Sequence, residues 1–202
     1  MSEQITTVDL IRHGEPIGGR KYRGQLDDAL SEKGWQQMRA AIGEHCPWQT
    51  IVSSPLQRCQ AFARELASAR NLPLHFDERF MEVKFGVWEG KTAEQISADD
   101  PQAINRFKQD PIKHRPAGAE PLDAFYARVH AAWMDLLTAH AGQPVLLVCH
   151  AGVIRMVLAH ALNIPLASTY AIDVPSAGLT RIKVSGSGEA AQHQLLFHHG
   201  AL

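Results

Sequence analysis

The chain has 202 residues, 45% of them hydrophobic, enough for one core and too few for two large domains, so a single domain over residues 1–202 is expected. Twenty Lys and Arg against 21 Asp and Glu leave a net charge of −1; no broad basic field exists for nucleic acid or an anionic membrane, and any positive potential must be local. No apolar run approaches the ~20 residues that cross a bilayer, the polar opening Met1-Ser2-Glu3-Gln4 has no signal-peptide pattern, and Cys46, Cys59 and Cys149 form no C-x-x-C pair, so a cytoplasmic protein with reduced thiols is expected.

The β-branched run from Thr6 to Ile11 reads as a buried strand that stops at Arg12-His13-Gly14. Residues 30–42 place Trp35, Met38 and Ile42 on one helical face, with Ser31 as N-cap. Residues 50–53 predict a second strand, Ser54-Pro55 a cap and first-turn pair, and Leu56, Cys59, Phe62, Ala63 and Leu66 the buried face of a second helix. Residues 72–76 predict a third strand. Residues 77–121 are polar and punctuated by Gly and Pro, and read as an insertion over the site. Leu122, Phe125, Val129, Trp133, Leu136 and Leu137 share a face of a long helix, which the Gly142-Gln143-Pro144 turn ends. The most apolar strand, Val145 to Cys149, stops at His150, and Gly152 opens another helix that ends before Pro165. Strands are expected near 169–174 and 179–184, with an edge at 194–197. His193, His198 and His199 lack an accompanying Cys or acidic ligand set and read as a loose polar tail rather than a metal site.

Strands alternating with helices imply an α/β fold, with a mostly parallel sheet covered on both faces and ligands bound beyond the carboxyl ends of the strands. His13, the segment from Ser54 to Arg58, and His150 all follow apolar strands. Arginine offers a rigid planar fork matched to phosphoryl oxygens, which suits Arg12 and Arg58 to that group. His13 is the candidate nucleophile: neighbouring arginines disfavour protonation of its ring, and an acceptor at the other nitrogen would orient it. His150 can donate to a phosphoryl oxygen. An alkoxide leaving group needs a proton, for which Asp77, Glu78 and Glu82 are candidates. Phe85 and Trp88 read as core, and Cys149 as an inert buried thiol. The run Arg20-Lys21-Tyr22-Arg23 is either a solvated charge run or a clamp for an anionic substrate.

Four strings, Leu10-Ile11-Arg12-His13-Gly14-Glu15, Ser53-Ser54-Pro55-Leu56-Gln57-Arg58, the run from Glu82 to Gly90, and Val148-Cys149-His150-Ala151-Gly152-Val153-Ile154-Arg155, resemble in order the motif blocks of the histidine phosphatase (phosphoglycerate-mutase-like) superfamily. The resemblance implies a three-layer α/β/α sandwich with a helical and loop insertion at 77–121, and no metal or organic cofactor. It also implies phosphorylation of His13, a phosphate pocket of Arg12, Arg58 and His150, and Glu82 as proton donor. Arg23 and Gly24 of the loop at 18–30, and Ala151, where a second glycine often stands, are implied at the substrate side. Within the family the chain is most similar to bacterial α-ribazole phosphatases, the branch that removes a 5′-phosphate in cobalamin assembly. It departs from relatives in carrying Gly118-Ala119-Glu120-Pro121 before the long helix, a change read as touching the substrate rim.

The expected activity is therefore hydrolysis of a small phosphomonoester through a phosphohistidine. Three alternatives are a mutase, which generally has a longer chain, a non-catalytic phospho-ligand module, and a protein-phosphohistidine phosphatase. The sequence leaves the oligomeric state open.

Overall fold

In the computed structural model, which describes residues 4–200, Ile5–Arg12 forms strand β1 at the middle of a six-stranded sheet. Met1-Ser2-Glu3, part of the opening read for a signal peptide, lies outside the described residues. The other strands are β2 (Thr50–Ser53), β3 (Leu74–Phe76), β4 (Pro144–Cys149), β5 (Leu179–Ser185) and β6 (Gln192–Gly200), in the order β3-β2-β4-β1-β5-β6. Strands β3, β2, β4 and β1 run parallel, whereas β5 and β6 are antiparallel additions. Helices α1 (Glu32–Ile42) and α2 (Gln57–Arg70) pack on one face, contributing Met38, Ile42, Phe62 and Leu66 beside Ile11, Leu146 and Val148. Helices α5 (Leu122–Ala139) and α6 (Ala151–Ala161) pack on the other, where Phe125, Trp133 and Val157 meet Val8, Leu10 and Leu147. Alternation along β1 and β4 thus feeds two cores, the arrangement of a three-layer α/β/α sandwich.

The insertion contains two short helices, α3 (Ala93–Asp99) and α4 (Ala103–Gln109), and it is anchored rather than loose. Fully buried Phe107 packs edge-on against Phe85, Trp88 and Tyr170, and Tyr22 closes the group against Phe85 and Trp88. Phe85 and Trp88 are core, as expected.

Three expectations are corrected. The segment 169–174 is not a strand: Leu166–Ala171 is a 3-10 helix. The β-branched residues there suggested a ladder, but the carbonyls of Ile172, Asp173 and Val174 accept instead from side chains of Arg155, His198 and Arg12. Helix α2 starts at Gln57 rather than at Ser54-Pro55; its N-cap, Leu56, offers no side-chain acceptor, and Asp27 Oδ1 from a distant loop takes the Gln57 N–H at 2.6 Å. The C-terminal histidines are not a loose tail, because β6 is nine residues long. His198 bridges Thr180 and Asp173, and His193 accepts from Trp133 Nε1.

One polar residue on β1 escaped the pattern reading. Asp9, 1% exposed, takes the Trp48 indole N–H at 2.8 Å and a two-pronged contact from Arg181 at 2.7 and 2.8 Å. Asp9→Ala leaves both donors without an acceptor and is expected to cost about 3 kcal/mol. Urea denaturation should show a lower midpoint with an unchanged slope, and a midpoint within experimental error of the parent would refute the assignment.

Candidate active site

Strand register places the two candidate imidazoles side by side. Arg12 pairs with Cys149 across β1 and β4, and Val148 pairs with both Ile11 and Ser53, so three parallel strands end in step. The ladder continues one residue further, with His13 N donating to Cys149 O and Ser54 N to Val148 O. His13 and His150 therefore leave the same edge, with ring centroids 5.2 Å apart and edge to face. This edge is where β1 has a parallel neighbour, β4, on one side and an antiparallel one, β5, on the other, so strand direction changes at the site.

Each ring has a fixed orientation. His13 Nδ1 lies 2.7 Å from Gly14 O. A carbonyl only accepts, so Nδ1 carries the proton and Nε2 keeps its lone pair. Fully buried His150 has Nε2 2.8 Å from Ser54 Oγ, a hydroxyl that also accepts from Leu56 N. When that hydroxyl donates to Nε2, the other nitrogen of His150 becomes a donor. Burial pushes the proton affinity of both rings well below the ordinary histidine value. The charges of Arg58 and then Arg12 lower His13 further, and those of Arg58, His13 and Arg12 lower His150.

Arg12 and Arg58 meet these rings without a carboxylate partner among the described residues. Arg12 Nη1 donates to Val174 O at 2.6 Å, and Arg58 donates to Leu26 O and Gly24 O at 2.8 and 2.7 Å. The Nε of each guanidinium is buried with no hydrogen-bond partner. Burial lowers Arg12 to about 10 despite the opposing charge of Glu82, and burial also lowers Arg58. Two positive heads packed beside neutral imidazoles, hydrogen-bonded to carbonyls and with no ion pair among the described residues, form a cluster with an unmet demand for an anion.

Glu82 arrives from the insertion. Its Oε2 accepts from Gly152 N at 3.1 Å in the first turn of α6, its Oε1 accepts from Val83 N at 3.0 Å, and its charge is felt by Arg12 and Arg58. Gly152 is required by this contact, since a Cβ there would come within 2.1 Å of Glu82 Oε1. Of the other acid candidates, Asp77 is tied to Arg79. Nearby Glu89, which is not among those candidates, accepts from Gln25 N and Phe85 N and is a loop brace.

The remaining expected residues lie around this group. Arg23 is buried, donates to Asp28 and to Ile17 O, and is close enough to His13 for its charge to register there. Gly24 sits behind Arg58 and supplies its carbonyl. With φ at +50° and Glu89 Oε1 2.2 Å from any added Cβ, the position accepts only glycine. Ala151 is buried at the start of α6, between His150 and Gly152.

Sequence reasoning missed Ser54, read only as a helix cap, and Cys59, which donates to Cys149 O beneath His150 and is pushed by burial up to about 12. It missed Arg128 as well. That guanidinium donates to Arg79 O, Met81 O and Glu82 O and grips Glu120 with two bonds, so it fixes the segment that carries Glu82. The departure at residues 118–121 thus includes a structural carboxylate, Glu120. A polar residue at helical spacing from the apolar face of α5 was the available signal.

Two facing imidazoles with two arginines at one edge of this sheet agree with what the chain resembles. Residues 8–194 match the histidine phosphatase superfamily, branch 1. Phosphoserine phosphatase 1 of Hydrogenobacter thermophilus is 33% identical over 142 residues, which are 66% of this chain and 65% of that one. The adenosylcobalamin/α-ribazole phosphatase of Salmonella typhimurium is 29% identical over 125 residues, 59% of this chain and 61% of that one. The chain therefore spans somewhat less than two thirds of the length of these relatives. The native structure of mycobacterial glucosyl-3-phosphoglycerate phosphatase shares the fold with a TM-score of 0.87 at 29% identity, over 98% of this chain and 100% of that one. Sequence match, sheet order and the two facing imidazoles converge: the chain belongs to the histidine phosphatase superfamily.

Proposed function

We propose that the protein is a phosphomonoesterase that works through a phosphohistidine at His13, without a metal, on a small phosphorylated metabolite. The observation that carries this reading is the pair of buried, carboxylate-free guanidiniums of Arg12 and Arg58 beside a neutral His13 with its Nε2 lone pair available. In the first step, Nε2 attacks phosphorus while the ester oxygen leaves with its bonding pair and takes a proton from Glu82. In the second, water attacks the phosphohistidine, gives a proton back to the Glu82 carboxylate, and the P–N electron pair returns to Nε2. Arg12, Arg58 and His150 stabilise the charge on the equatorial oxygens in both steps. Arg23, Gly24 and Ala151 act on the substrate side, Gly24 through Arg58. The relatives are named for phosphoserine, glucosyl-3-phosphoglycerate and α-ribazole, and α-ribazole 5′-phosphate is one candidate substrate.

His13→Ala should lower hydrolysis of p-nitrophenyl phosphate by on the order of 10³-fold or more, with acid-labile phosphate trapped on the parent by rapid quench and absent from the variant. Chelators should leave the parent rate unchanged; retained turnover in the variant defeats the scheme. Glu82→Gln should depend on the leaving group. Alkyl phosphates, whose alkoxide needs a proton, should slow by about 10²- to 10⁴-fold, and p-nitrophenyl phosphate by less than about tenfold. Equal losses on both substrates would remove Glu82 from proton transfer.

Stability should also follow the imidazoles. His13 and His150 stay neutral in the folded protein at pH values where the unfolded chain, with histidines near 6.5, binds protons. The unfolded state therefore gains protons as pH falls below about 6.5, and stability declines in that direction. His13→Asn should reduce the slope of unfolding free energy against pH between 6.5 and 5 by up to about 1.4 kcal/mol per pH unit. An unchanged slope would mean that the folded ring is already protonated.

A further inference from the structure

Most arginines of this chain sit on carboxylates, Arg23 and Arg128 beside the active site among them, but several close to His13 do not. Seven of the thirteen form such ion pairs. The six without a carboxylate among the described residues are Arg12, Arg20, Arg58, Arg64, Arg115 and Arg155. Arg64 lies on the outer face of α2, against Gln60 and Phe76; Arg12 and Arg58 stand beside His13 and His150, and Arg155, Arg115 and Arg20 lie on the elements around them. In a chain with a net charge of −1, that is a strong local excess.

A phosphoryl dianion accounts for Arg12 and Arg58. Arg155, Arg115 and Arg20 are left over, and each is positioned close by. Arg155 Nε donates to Ile172 O at 3.0 Å, while Arg12 donates to Val174 O on the same short segment; two residues of chain span at most about 7 Å. The Arg155 head lies 4.9 Å from the centre of the Tyr170 ring, which holds it in place. Arg115 lies 6.0 Å from the centre of the Phe107 ring, which packs edge-on against Tyr170, and its Nη2 donates to Lys84 O, two residues from Glu82, so Arg115 stands on the acid side. Its Nε and Nη1 are buried with no hydrogen-bond partner among the described residues. Arg20, exposed on the loop before Tyr22, is close enough for its charge and that of Arg155 to register at both Arg12 and Tyr22.

Building on the phosphatase reading above, we propose that Arg155 and Arg20, with Arg115 beside Tyr170, form a second anion subsite that selects phosphomonoesters carrying a carboxylate a few bonds from the phosphate. The alternative type of substrate, a phosphorylated riboside with an uncharged base, would leave Arg155 and Arg115 without an ion-pair partner among the described residues and Arg20 with only the more distant charge of Glu94. A carboxylate fits because the planar guanidinium of Arg155 is fixed by a carbonyl and a ring, and a planar two-oxygen anion matches its free edge.

The test compares kcat/KM for 3-phosphoglycerate, glycerol 1-phosphate and α-ribazole 5′-phosphate in the parent enzyme, in Arg155→Met and in Arg20→Met. The first two substrates differ in carrying a carboxylate or a hydroxymethyl group at the same place. One lost charge-assisted contact corresponds to about ten- to a hundredfold, so the parent should prefer 3-phosphoglycerate over glycerol 1-phosphate by at least about tenfold. The ratio should fall toward one in Arg155→Met and partway in Arg20→Met, whose exposed side chain can be removed without disturbing the core. A parent ratio near one, a preference for α-ribazole 5′-phosphate over 3-phosphoglycerate, or a ratio unmoved in both variants overturns the subsite. Each of these outcomes leaves the phosphatase reading standing; that reading falls separately if the parent hydrolyses none of the three nor p-nitrophenyl phosphate.

Discussion

Two guanidinium ions with no ion pair among the described residues, Arg58 buried and Arg12 half-buried, set the terms for the rest of this structure. Removing such an ion from water costs several kcal/mol, and nearby carbonyl dipoles offset that only in part. Arg58, 1% exposed, recruits the carbonyls of Gly24 and Leu26, and the loop containing them is held against the start of α2 as a result. Asp27 of the same loop caps Gln57, so the polar groups at the helix start and the loop satisfy each other. Burial first, and then the same charges, disfavour protonation of the adjacent imidazoles, and an imidazole without its second proton is the form that can act as a nucleophile. The demand that orders the loop thus also adds to what burial does to the proposed nucleophile.

The sheet supplies the other half of the geometry. Strands β1, β4 and β2 end within one residue of each other, and β4 lies between the other two. Because side chains alternate along a strand, a slip of one residue in β4 would turn His150 toward the opposite face. Val145, Leu147 and Cys149 face one core while Leu146 and Val148 face the other, so such a slip would exchange every contact on both faces. The separation of the two imidazoles is therefore protected by hydrophobic burial remote from the chemistry.

Legibility in the sequence followed the physics of each element. Strands β1 and β4 were readable because they are buried on both faces and stop abruptly at histidines, and α5 because its apolar face is regular over five turns. The four motif strings carried the site residues, since each string is local. What failed was non-local. Nothing in Thr169, Ile172 or Val174 says that the carbonyls of this stretch will be claimed by side chains from α6, β6 and β1. Ser54 looked like a cap because a serine before a helix usually is one, and its hydroxyl does accept from Leu56 N; its second partner, His150, is 96 residues away. The alternation of β6 was obscured by register shifts against β5 near Thr180 and Arg181.

The proposed acid and the proposed nucleophile are held by different means. His13 is fixed by strand register and one carbonyl, whereas Glu82 depends on a side-chain clamp: Arg128 spans three carbonyls of residues 79–82 and locks onto Glu120, while Gly152 N receives the carboxylate. A lysine at position 128 has a single head and could not serve these diverging acceptors together. The clamp rests on α5, an element of the main core, although the residues it holds belong to the insertion. Side chains further along the insertion, including Arg115, can therefore change without moving the carboxylate away from the imidazole. On the phosphatase reading proposed above, such a division would let one phosphoryl-transfer apparatus serve substrates that differ beyond the phosphate.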